Sequence, residues 1–221
     1  MSGRRLVAAQ PDGNHLERRF EEIRANLAGE DPYKLAFRTG CKFTAENEGD
    51  AMGVFRLDYW GKEIEVSFPE FEMLDCANGN TLNAFEQTLI AYYFQDSDGA
   101  PLTGKWVAFS ELPNGMFYKT AFQGYTGREI MKAFGDDTVA FEQAALALCG
   151  RPVDVGDRAF AYQVLPMLRL VVVCWQGDDE FPPSYRILFD ESAGHHLSAD
   201  GCAIVGSMLA KRLIKAKQIV K

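Results

Sequence analysis

The chain is poor in the residues that most often carry chemistry in pairs. Of its 221 residues three are histidine and five are cysteine, and no two cysteines stand closer than 25 positions. No C-x-x-C pair occurs, so a zinc knuckle, a thioredoxin-type redox pair and a local iron–sulfur motif all lack ligands. There is no G-x-S-x-G elbow, no G-x-G-x-x-G after a strand and no G-K-[ST] phosphate loop. The longest apolar run, Leu168 to Trp175, is interrupted by Arg169 and is far too short for a membrane span. Residues Met1 to Ala9 are basic but hold no apolar segment of signal-peptide length. No internal repeat, low-complexity linker or composition break marks a domain boundary. These absences predict a soluble, cytoplasmic protein with reduced cysteines: a flexible arm over 1–13, then a single domain over 14–221.

Positive charge is scarce outside one place. The net charge is −8, and the last eleven residues hold five cations (Lys211, Arg212, Lys215, Lys217, Lys221) and no acid. The rest of the chain therefore carries −8 less 5, or −13. A body that acidic argues against nucleic acid as a partner, since phosphate contacts need a basic face. At 47% apolar and 24% charged the composition is that of an ordinary globular protein long enough to bury a proper core.

What is present centres on Met167 to Leu197. Leu168 to Trp175 is mostly β-branched or aromatic, which suits a strand covered on both faces. Gln176-Gly-Asp-Asp-Glu-Phe-Pro-Pro183 carries turn chemistry, and Tyr185, Ile187 and Phe189 alternate on the way back. This is a long-loop hairpin at the centre of a sheet. Upstream, a helix begins near the cap Asn14 with Leu16, Phe20, Ile23 and Leu27 as its stripe. Strands are expected at Cys41 to Ala45, Gly53 to Tyr59 and Lys62 to Phe68, the last two joined at Trp60-Gly61 as an antiparallel meander. Helices are expected at Leu82 to Phe94, Arg128 to Phe134 and Thr138 to Leu148, and a strand at Ala159 to Leu165. A final helix over Ser198 to Lys217 would bury Cys202, Val205, Leu209 and Leu213. Leu102 to Gly127 is rich in aromatics and glycines without periodicity and reads as an ordered surface segment. The sum is an α+β fold, a mixed but mainly antiparallel sheet packed by several helices.

Three constellations could carry function. Asp190, Glu191, His195 and His196 put two carboxylates and two imidazoles within seven residues; Asp190, His195 and His196 are candidate ligands for a divalent metal, or an acid/base pair. The structural alternative is that Asp190 caps its turn and that adjacent histidines point apart. Asp178, Asp179 and Glu180 could hold a hard cation or simply face water. Trp106, Phe109, Glu111, Phe117, Tyr118, Phe122, Gln123 and Tyr125, beside the Asp179–Glu180 loop, could grip a planar cofactor, or could plug a core. Cys76 reads as a loop thiol; Cys149, Cys174 and Cys202 read as core.

The strings Gly104-Lys-Trp-Val-Ala-Phe-Ser-Glu-Leu-Pro-Asn-Gly115, Ala121-Phe-Gln-Gly124 and Trp175-Gln-Gly-Asp-Asp-Glu-Phe-Pro-Pro-Ser184 with Ile187-Leu-Phe-Asp190 resemble an uncharacterised prokaryotic family, domain of unknown function 3786. The resemblance runs from about residue 30 to about residue 215. That family occurs largely in anaerobes, and some members resemble fusions with a small four-cysteine iron–sulfur domain like those of corrinoid proteins in one-carbon metabolism. This chain lacks such a cluster. The resemblance implies no catalytic residue. It implies an accessory or ligand-binding protein of anaerobic redox or corrinoid metabolism, with a corrinoid or iron–sulfur protein as partner and no cofactor of its own. The other readings are a metal-assisted hydrolase using the Asp/His cluster and a protein-interaction module.

Overall fold

The structure is a computed structural model that describes residues 13–47, 49 and 51–219. The arm expected at 1–13 thus lies outside the described residues except for Gly13. Helix α1 (Gly13–Leu27) starts one position ahead of the expected cap and buries Phe20, Ile23 and Leu27. The Asp31 carboxylate caps helix α2 (Pro32–Thr39) by accepting from the Tyr33 amide, proline sits in its first turn, and Gly40 ends it in the left-handed conformation.

A four-stranded antiparallel meander follows: β1 (Lys42–Ala45), β2 (Gly53–Tyr59), β3 (Lys62–Phe68) and β4 (Met73–Asp75). Its alternation is clean. Phe55, Leu57, Tyr59, Ile64, Val66 and Phe68 are buried, while Arg56 and Asp58 between them are exposed. The inner face packs on helix α3 (Ala84–Asp96), where Phe94 meets Phe55 at 5.1 Å and Phe71 at 5.5 Å between ring centroids. Asn83 caps α3 through the Glu86 amide.

The second half builds a five-stranded antiparallel sheet in the order β5 (Trp106–Ala108), β9 (Ser184–Asp190), β8 (Leu168–Trp175), β7 (Arg158–Leu165), β6 (Arg151–Pro152). The expected hairpin, β8 with β9, is its centre. Leu170 through Cys174 have no exposed surface at all, which is why the run is unbroken. Leu170, Val172 and Cys174 face the main core; Val171 and Val173 face a smaller outer layer with Trp106, Trp175, Val153 and Val155. Helices α4 (Lys119–Tyr125), α5 (Gly127–Phe134) and α6 (Thr138–Ala147) come between β5 and β6 in sequence. Helix α7 (Ala199–Ile219) starts at Ser198, whose Oγ accepts from the Gly201 amide, and buries Cys202, Val205, Leu209 and Leu213.

The chain is α+β, with two antiparallel sheets in place of one mixed sheet, because α3 and the long connection after it part the first four strands from the last five. The segment Leu102 to Gly127 is also more regular than its sequence suggests. It holds β5, two single 3₁₀ turns (Phe109–Glu111 and Gly115–Tyr118) and α4. The Glu111 carboxylate accepts from the Ala108 amide at 2.7 Å and so ends β5. Cys149 is exposed, not core, and sits at a φ of +59°, just past the end of α6. Among the described residues no helix is long and apolar enough to cross a membrane.

Gly127 sets how closely α5 approaches the sheet: a Cβ there would lie 2.1 Å from the Tyr185 carbonyl oxygen. Gly124, in α4, has open space around it. Gly127→Ala should therefore cost about 1–3 kcal/mol in denaturant unfolding. Gly124→Ala should be neutral or stabilising by up to about 1 kcal/mol.

Candidate functional site

The Asp190 cluster holds the chain's longest connection in place. Asp190 is fully buried. Its Oδ1 accepts from the Thr103 amide (3.0 Å) and hydroxyl (3.1 Å) and from the Ser192 amide (3.0 Å) and hydroxyl (2.8 Å); its Oδ2 accepts from the Gly104 amide (2.8 Å). Burial alone would raise its pKa, but these donors outweigh it and hold the carboxyl below the usual range. Glu191 pairs with Lys105 at 2.6 Å. His195 Nδ1 meets Asp98 Oδ2 at 2.7 Å on the surface, and this bond holds the Asp98 carboxyl below its ordinary value.

His196 is buried. Its Nε2 lies 2.9 Å from the Ala100 carbonyl, an acceptor only, so Nε2 carries the proton and Nδ1 accepts from Ser97 Oγ at 3.2 Å. Burial depresses its pKa below 6.5, against the pull of that carbonyl. All four residues are thus spent on residues 97–105. Asp190, His195 and His196 do not converge on one point. Among the described residues no three His, Cys, Asp or Glu side chains come together as a metal site. Asp179 and Glu180 are exposed in the β8–β9 turn, which Asp178 shapes by accepting from the Glu180 and Phe181 amides.

The aromatic candidates part company. Trp106 lies on the outer face of the second sheet. Phe109 and Phe122 stack on the other face, with centroids 4.2 Å apart and planes 13° from parallel, against Phe189. Tyr125 touches the edge of Phe122, while Phe117 and Tyr118 project outward. Glu111 is committed to its cap.

Phe109, Phe122 and Gln123 do share a cleft. The short β5 pairs only with Leu188 to Asp190, so the Ser184–Ile187 edge of β9 is left without a strand partner on that side. Gln123 Nε2 donates to the Tyr185 carbonyl at 2.8 Å and partly closes this edge. Between it, the 3₁₀ turn and α4 lies a cleft of about 370 Å³. Its walls carry Lys119, Arg128 and Arg186, its floor the buried Phe109–Phe122 pair, and among the described residues no carboxylate lines it. Lys119 and Arg128 make no hydrogen bond or ion pair among the described residues; Arg186 lies 5.6 Å over the Trp175 ring. Sequence reasoning missed the three cations because they are 9 and 58 residues apart in the chain and no local pattern joins them.

A family profile for a domain of unknown function, DUF3786, matches residues 31–212, and the chain belongs to that family. No curated protein and no solved structure matches it.

Two expectations follow from the Asp190 and His196 contacts. Asp190→Ala leaves three backbone donors without an acceptor and should cost about 3 kcal/mol or more in urea unfolding. The His196 contribution, from a depressed pKa, is complete above pH 6.5 and is lost as pH falls below it. Amide exchange of residues 97–105, corrected for intrinsic rates, should therefore speed up at about pH 5 relative to about pH 7.5, and less so in His196→Gln.

Proposed function

We propose that this family member is a binding protein for a small anionic ligand, and that the cleft along the open edge of β9 is its site. The observation that carries this is the grouping of Lys119, Arg128 and Arg186 around an aromatic floor, with no carboxylate in the lining among the described residues, in a chain of net charge −8. Like charges are held together at a cost unless an anion answers them. Ser110, Thr120 and Ser184 add hydroxyls, whereas among the described residues no histidine, cysteine or carboxylate lines the cleft to serve as a general base. The chemistry on hand is therefore binding in preference to turnover. The volume suits a small molecule or the acidic end of a larger cofactor. A role beside corrinoid or redox proteins rests on the family resemblance alone, and a cytoplasmic setting on the scattered cysteines of the sequence.

A second reading has its own observation. Met116, Phe117 and Tyr118, next to the cleft, are 56%, 82% and 53% exposed. Three consecutive large apolar side chains in water favour a protein partner at this edge.

Titration with pyrophosphate, citrate and a corrinoid, read by fluorescence of Trp175 beneath Arg186, tests the ligand reading. Saturable binding by an anion should weaken about tenfold or more in Arg186→Met and weaken with added salt. No response to any of the three, with the wild-type fold intact, removes the proposal; a response to the corrinoid would extend it to that metabolism.

A further inference from the structure

A second hollow, independent of the cleft, lies where the two sheets meet. The β2–β3 turn reaches across to β7, and the Trp60 amide donates to the Val164 carbonyl at 3.1 Å. Around this bolt the turn, the β6–β7 edge and α7 enclose about 580 Å³. Trp60, Trp106 and Tyr162 give it flat apolar walls, and Arg151, Arg169 and Arg212 give it three guanidinium groups against the single carboxylate of Asp58. Asp58 is already occupied: its Oδ1 accepts from the Gly61 amide at 2.9 Å.

The donors here outnumber the acceptors. Arg212 is half-buried with its guanidinium 4.5 Å over the Trp60 ring, and it makes no hydrogen bond or ion pair among the described residues. The Trp60 indole nitrogen and the neighbouring Tyr59 hydroxyl are both buried beside it; burial raises the pKa of that hydroxyl, and the indole N–H facing it pulls the other way. A partly desolvated guanidinium without a hydrogen-bond acceptor is expensive. The backbone makes the same point. Trp60 occupies the first position of a two-residue hairpin with φ at +54°, where asparagine or glycine would sit with less strain. A bolt between sheets explains the ring, but it does not explain an arginine held over that ring without a hydrogen-bond acceptor.

We propose that this hollow binds a small ligand carrying a carboxylate or phosphate on a flat apolar body. Arg212 takes the anionic head. The ring of the ligand lies against Trp60 and Tyr162. Arg151 and Arg169, the latter held at 2.5 Å by Gln163, supply further positive field at the mouth.

Cys149 reports on the site because it lines the same hollow and is exposed. The only other exposed cysteine is Cys76, so a Cys76→Ser protein leaves one reactive thiol. Alkylation of Cys149 by iodoacetamide, a neutral reagent, is followed by mass spectrometry with phenyl phosphate, benzoate, inorganic phosphate or benzyl alcohol present. The expected result is saturable protection by phenyl phosphate or benzoate and none by benzyl alcohol. Phenyl phosphate ahead of benzoate assigns a phosphate head, and the reverse assigns a carboxylate. Arg212→Met should raise the half-protecting concentration about tenfold or more, and Arg212→Lys less. Arg186→Met, in the β9 cleft, should leave protection as it was, so this site and the cleft stand or fall separately. Absence of protection by all three anions, equal protection by benzyl alcohol, or undiminished protection in Arg212→Met overturns the proposal.

Discussion

Everything between the two sheets depends on one carboxylate that water cannot reach. Asp190 ends the inner strand β9 and at the same time receives the chain arriving from α3. A buried carboxylate tolerates that position only with its lone pairs filled, and five hydrogen bonds fill them. The consequence spreads outward. With Thr103 and Gly104 fixed, β5 is placed beside β9 in one register, Trp106 opposite Asp190. That register sends Phe109 inward to meet Phe122 and leaves the rest of the β9 edge bare. The cleft is what remains when a three-residue strand is laid beside a seven-residue one.

The two halves are otherwise joined by few direct contacts between sheets, and those are specific. Trp60 crosses to β7, and α7 touches both halves, with Arg212 over Trp60 at one point and Gly206 against Phe122 at another. Gly206 admits the Phe122 ring because a Cβ there would fall 2.6 Å from it. The last helix thus touches the floor of the cleft and the wall of the junction hollow, so both candidate sites share one rigid element.

Much of this fold is legible in the chain because its patterns are local. The period-two alternation of Val54 to Tyr59, the unbroken Leu170 to Cys174 and the stripe from Cys202 to Leu213 each state which face is buried. What is not legible depends on partners far away. Trp106 to Ala108 forms a strand only because β9 lies alongside, and Lys119 to Tyr125 forms a helix over Phe189 despite two glycines nearby. The Asp/His cluster shows the same limit from the other side. Its composition suits a metal, but whether ligands converge is a question of direction, and here each points at a different atom of 97–105. Cys149 reads as core from its apolar neighbours; the left-handed turn that ends α6 swings it out. The cations of the cleft carry no signal that spacing could reveal.

The second sheet ends on both sides in stubs, β5 with three residues and β6 with two. A long bare edge is a template on which a second chain can add a strand and begin an aggregate. Here the ladder is capped at one end by a turn that closes on Glu111 and at the other by a proline, Pro152, which cannot extend a ladder through its nitrogen. Where the β9 edge does stay open, Gln123 takes the carbonyl an incoming strand would need. Colloidal stability is thus written into the outermost strands of the fold as well as into its negative charge.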